Sequence, residues 1–255
     1  MHVEVAHMNV PAPVLESKPL SSDRPHDGSW KSLCRVGGTT ALLAVVLAPA
    51  EVAISFLPGV ETLTASTVTV VDWFNLFQGH SLLALRNLGL LNLIGAALLL
   101  PTILAVYGAL RRDQQAYAAL GAILFFVGIA VYLAGSRAFP MLLLSRQYAA
   151  AVNPAQRALF VAAGQAMLAE GQSRAGILLI EFACFVVSLV MLRSTVFSRM
   201  TACAGLLGNL LMMVLEVAFM PPRGAGTIVA AGGGLATMLW YFLIGQRLLK
   251  NSRSC

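Results

Sequence analysis

RAGILLIEFACFVVSLVMLR (residues 174–193) is followed by STVFS (194–198) and then by RMTACAGLLGNLLMMVLEVAFM (199–220). Each long run is apolar over about the 20 residues that a helix needs to cross the hydrocarbon of a bilayer. The joining turn is bracketed by Arg193 and Arg199, and each run carries one carboxylate, Glu181 and Glu216. A basic turn between two apolar runs reads as a transmembrane hairpin whose turn lies on the cytoplasmic side.

The rest of the chain agrees with that start. Of its 255 residues, 58% are hydrophobic and 11% charged, against about a quarter charged in soluble domains. The deficit is concentrated in long uncharged runs, which excludes a soluble α/β enzyme. The net charge of +6 would suggest nucleic acid in a soluble protein. Here the cations flank apolar runs, so they report topology, and no nucleic-acid partner is expected. Cys34, Cys184, Cys203 and Cys255 have no paired spacing and read as small apolar residues rather than a disulfide framework.

The expected fold is all-α and integral to the membrane, with six spans at about 36–57, 89–110, 116–133, 175–192, 200–220 and 224–244. They form three outward-opening hairpins within a membrane domain over 34–250. Residues 1–33, polar with four prolines, read as a disordered cytoplasmic tail, and 251–255 as a second tail. His2, His7 and His26 in the first tail read as solvated. Pro49 and Pro101 interrupt spans one and two and predict kinks. The run GAGTIVAAGGG (224–234) opening span six predicts close helix approach.

Two segments outside the spans are amphipathic. DWFNLFQGHSLLALRNL (72–88) suggests an interfacial helix with Trp73 and Phe74 at headgroup depth. Residues 134–173 suggest two helices broken near Asn153, since Asn153-Pro154 is a good N-cap and first-turn pair. Tyr132, Tyr148, Trp240 and Tyr241 near span ends read as interface anchors. Lys18, Arg24, Lys31, Arg35, Arg111, Arg112, Arg193, Arg199, Arg247, Lys250 and Arg253 then lie on one side. Arg86, Arg137, Arg146, Arg157, Arg174 and Arg223 lie on the other. The excess places both termini in the cytoplasm, in a multi-pass protein of the plasma membrane.

Four stretches carry a family likeness: PTILAVYGALRR (101–112), LSRQYAAAVNPAQRALFVAAGQAMLA (144–169), MLRSTVFSRMTACAGLLGNL (191–210) and WYFLIGQRLLK (240–250). Through them the chain from Arg35 to about Lys250 resembles a bacterial family of multi-span membrane proteins known as domain of unknown function 4386. The resemblance implies a membrane helix bundle and brings no activity or catalytic residues with it.

The candidate site is acidic. At 1.5 Å per residue, Glu51 lies roughly 24 Å above the inner boundary at Arg35, Glu181 roughly 18 Å from Arg193, and Glu216 roughly 25 Å from Arg199. All three fall in the outer half of a core about 30 Å thick. Arg174, Glu181 and Ser188 recur at seven-residue spacing with Cys184 beside them. Gly205, Asn209, Met212 and Glu216 share a second face; Thr40, Ala44, Leu47, Glu51 and Ser55 share a third. Exposing such carboxylates to lipid costs several kcal/mol, so the faces should turn inward.

The function expected from this is binding of a cation or small polar solute in an outer-facing acidic cavity, for transport or sensing. Its ligand-binding residues would be Glu51, Glu181, Glu216, Arg174, Asn92 and His80, with Arg137 near the rim. Two alternatives stay open: a membrane-embedded enzyme with a Glu as general base acting on a lipid or small molecule, and a structural or partner-binding bundle whose carboxylates pair with Arg. No cofactor or metal is expected, for there is no HExxH, P-loop, GxGxxG or GxSxG. The partner is the lipid bilayer, and the oligomeric state is left open.

Overall fold

A computed structural model describes residues 26–55, 68–170, 174–218 and 224–254. His2, His7, Cys255 and the turn Pro221-Pro222-Arg223 lie outside the described residues. Those described form nine helices: α1 (His26–Ser55), α2 (Val70–Gly79), α3 (Ser81–Asn87), α4 (Leu90–Ala134), α5 (Ala138–Ala150), α6 (Pro154–Glu170), α7 (Arg174–Arg193), α8 (Arg199–Val217) and α9 (Ala225–Ser254). No strand occurs among them. Among the described residues, five helical stretches are long and apolar enough to cross a membrane: Ser29–Glu51, Leu90–Ala150, Pro154–Arg193, Arg199–Val217 and Ala225–Asn251.

The long helices close a ring in which α1 packs on α4, α4 on α7, α7 on α8, α8 on α9, and α9 back on α1. The close approaches fix their directions. Gly37 faces Pro101 and Ala105 of α4, while its neighbour Gly38 faces Gly245 and Leu249 of α9. Two adjacent glycines thus let α1 approach two helices at once. The fully buried Thr102 adds a hydrogen bond from its Oγ1 to the Gly37 carbonyl (3.0 Å), with Thr40 Oγ1 also 3.0 Å away.

The runs expected at 89–110 and 116–133 as separate spans lie on either side of a break at Gln114 (φ −144°, ψ 60°), which divides α4 into two helical halves. The chain doubles back there. Gly121 lies against Val187, Gly128 against Ile180, and Tyr132 against Gly176, so the second half of α4 runs antiparallel to α7. The two ends of α4, at Leu91 and Tyr132, line one cavity. The reversal is tied to the next turn: Asp113 Oδ2 accepts from Ser194 Oγ (2.8 Å) and from Thr195 N (3.4 Å). Arg247 Nε closes the same end by donating to the Val196 carbonyl (2.6 Å). Asp113→Ala removes the acceptor for the buried Ser194 hydroxyl and is expected to lower stability by about 1 kcal/mol. Unfolding of purified protein in detergent checks this, and Asp113→Asn, which keeps one acceptor, should lose less.

Two helix ends lie further out than hydropathy places them. α1 starts at His26, inside the stretch expected as a tail, because Leu33 and Cys34 pack on the core and the Arg111 guanidinium stacks on the Trp30 ring at 4.0 Å. α9 continues to Ser254, through most of the expected 251–255 tail, with Leu248 fully buried beneath it.

The short helices α2, α3, α5 and α6 build a second apolar core at the end of the bundle away from Asp113. Trp73, Phe74, Phe77, Ala84, Leu85, Ala138 and Met141 fill it. Thr69 starts α2 with a capping box: its N and Oγ1 donate to Asp72 Oδ2 (2.8 and 2.6 Å), and Asp72 N donates back. These bonds hold the Asp72 carboxyl below its ordinary pKa. The break near Asn153 is present; Asn153 Oδ1 caps α6 by accepting from Gln156 N (2.8 Å). Trp73 and Phe74, expected at headgroup depth, are instead inside this core at 1% and 0% exposure. Ser145 Oγ donates to the Phe74 carbonyl and the Tyr148 ring tilts over Phe74 at 5.1 Å. An amphipathic pattern specifies an apolar neighbour and does not distinguish lipid from a second helix layer.

Candidate functional site

At the end of the ring nearest the second core, the helices part around a cavity of about 440 Å³. Its floor and walls come from α1, both halves of α4, α7, α8 and α9. Small residues make the space. Ala44 and Ala48 of α1, Gly95 and Ala96 of α4, and Gly234 of α9 all line it. A Cβ built at Gly234 would meet nothing within 4 Å, and one at Gly95 only Leu47, at 3.7 Å. In the run 224–234, Gly233 makes the expected close approach, to Leu211 and Met212; Gly234 leaves room instead.

Glu51, Glu181, Glu216 and Asn92 all reach the wall of this cavity. The helical faces behind them are buried as the seven- and four-residue spacings require. Cys184 and Ser188 are buried on α7, with Ser188 Oγ bonded to the Cys184 carbonyl (2.8 Å). Gly205 and Asn209 are buried on α8, with Asn209 Nδ2 bonded to the Gly205 carbonyl (2.6 Å). These polar groups are satisfied within their own helices, which leaves the carboxylates as the chemistry of the wall.

The three carboxylates are not equivalent. Arg86, from α3, donates through Nη2 to the Glu51 backbone carbonyl (3.1 Å), and its charge acts on the Glu51 carboxylate. Glu181 of α7 and Glu216 of α8 instead share the cavity wall. Glu181 Oε2 is buried with no hydrogen-bond partner among the described residues, and so is Thr237 Oγ1 on the facing α9. A buried carboxylate oxygen without a partner is costly, and because Glu181 lines the cavity a ligand's donor brought to its carboxylate would be stabilised.

Arg174 and His80 do not join this wall. Arg174 is exposed at the start of α7, about 10 Å of helix rise from Glu181; His80 is exposed where α2 meets α3. Arg137 donates to the Leu168 carbonyl (3.2 Å) and ties α5 to α6 within the second core. Among the described residues no group of three His, Cys, Asp or Glu is placed to hold a metal ion.

Tyr132, Thr237 and Tyr241 line the cavity and were not expected there. The tyrosines near span ends read as interface anchors, yet Tyr241 turns inward, with its hydroxyl 3.8 Å from Cys184 Sγ and its ring 4.8 Å from that of Trp240. Arg86 read only as an outer-side cation. One signal was available: Tyr241, Thr237 and Gly234 lie at three- and four-residue steps along α9, the spacing of a single helical face. Comparison with family models, with curated proteins and with solved structures finds no match to this chain.

Proposed function

We propose that this chain binds a cation or small polar solute in the cavity between its spanning helices, as a transporter or a sensor. The reading takes the two halves of α4 as separate spans, six in all, with the Asp113 end and both termini cytoplasmic and the α2–α3–α5–α6 core outside. The sequence likeness to domain of unknown function 4386 belongs to the same reading. The observation that carries it is the Glu181 carboxylate, which shares the cavity wall with Glu216 and has one buried oxygen that no described residue satisfies. Glu51 has Arg86 beside it, which supports a structural share for that carboxylate. The first test is thermal unfolding of the purified protein against a panel of inorganic and organic cations. Wild type should be stabilised, since a ligand that binds only the folded state raises stability with its concentration. Glu181→Gln and Glu216→Gln should lose that response. Variants as stable as wild type, with no cation shifting any of them, would remove the acidic site from consideration.

A further inference from the structure

The shape and lining of the cavity narrow the kind of cation, and this step rests on the reading of the cavity as a binding site. An inorganic cation needs several oxygens converging at about 2.0 to 2.6 Å. Among the described residues no such convergence of carboxylates exists, although all three Glu reach the same wall. The volume points the same way. About 440 Å³ lies in the range of roughly 300 to 1,000 Å³ that small-molecule sites occupy, whereas one water takes only about 30 Å³.

Most of the wall is apolar. Leu99, Ile129, Ile180 and Met238 line it together with Tyr132 and Tyr241. Aromatic faces attract a desolvated ammonium by about 2 kcal/mol, and aliphatic side chains gain by covering an apolar body. A hydrated metal ion uses neither. We infer that the ligand is an organic ammonium: one cationic nitrogen held at Glu181 and Glu216, with an apolar body packed against the tyrosines and aliphatic residues.

The test uses the purified full chain in lipid nanodiscs and four probes: benzyltriethylammonium, tetramethylammonium, sodium and calcium. Binding is read by calorimetry and by thermal shift. Benzyltriethylammonium should bind at least about tenfold more tightly than the other three. Glu181→Gln should weaken it by about tenfold or more. Gly234→Phe, built where a Cβ meets nothing within 4 Å, should fill the cavity and weaken benzyltriethylammonium by a similar factor. Gly95→Leu does the same from α4 and stands in if the first variant fails to fold.

If sodium or calcium binds tightly and benzyltriethylammonium does not, the organic ligand is wrong while the cavity remains a cation site. If benzyltriethylammonium binds but both filling variants leave its affinity unchanged, it binds elsewhere and the inference is overturned. If no cation binds wild type at all, the underlying reading of the cavity falls with it.

Discussion

Gly176→Leu should unfold this protein more easily by about 3 kcal/mol, the upper end of what overpacking a well-packed contact costs. A Cβ at residue 176 would meet Tyr132 N at 2.6 Å and Tyr132 Cα at 2.8 Å. These are backbone atoms of the facing helix, so no rotamer change relieves the clash, and α7 has to move off α4. That contact sits beside the cavity, because Tyr132, Ile177 and Ile180 all line it. The variant should therefore lose ligand response together with stability. Gly234→Leu makes the same chemical change on α9, where nothing lies within 4 Å. It should be neutral or slightly stabilising, because replacing a helical glycine recovers up to about 1 kcal/mol. Unfolding of both variants in the same detergent separates the two cases. Equal losses would mean that the α4–α7 contact is not what glycine is needed for.

The contrast between these two glycines bears on what the sequence makes legible. Hydropathy and charge were enough for an all-helical chain with helices long and apolar enough to cross a membrane, for the turn between α7 and α8 at Arg193 and Arg199, and for the reversal near Arg111-Arg112-Asp113. Each depends on the energy of a residue in lipid or water, which a single residue carries with it. The inward turn of Glu51, Glu181 and Glu216 was legible for the same reason, since a carboxylate in an apolar run has few other places to go. Gly176 and Gly234 look alike in sequence, yet one is pressed against a backbone and the other faces open space. That difference belongs to a neighbouring helix, and nothing local encodes it. The same limit applies to Trp73, Phe74 and Tyr241. Their amphipathic surroundings called for an apolar neighbour, and lipid, a second helix layer or a cavity wall would each have met that demand. Arg174 was drawn into the site by the face it shares with Glu181, and it lies about 10 Å too far along α7; His80 was drawn in by depth, whereas membership of a wall also needs the right face.

Trp240 gives the sharpest test of how the cavity floor is held. It is fully buried, and a Cβ at Gly205 of α8 would collide with its ring. Trp240→Ala is expected to cost about 3 to 5 kcal/mol, as large aromatic truncations in cores do. Its indole nitrogen has no hydrogen-bond partner among the described residues. Trp240→Phe therefore removes ring volume without breaking a bond and should cost under about 1.5 kcal/mol. If a hidden acceptor served that nitrogen, both variants would leave the acceptor unpaired, and the cost of Trp240→Phe would rise by about 1 to 3 kcal/mol. The consequence extends to function because Tyr241 leans on Trp240 at 4.8 Å and presents its own side chain to the cavity. With Ala at position 240 the tyrosine loses its backing and its ring is free to leave the wall. The binding of benzyltriethylammonium should weaken in Trp240→Ala even at temperatures where that variant is folded, and should survive in Trp240→Phe. A Trp240→Ala protein that is folded and binds as wild type does would show that Tyr241 holds its place without Trp240.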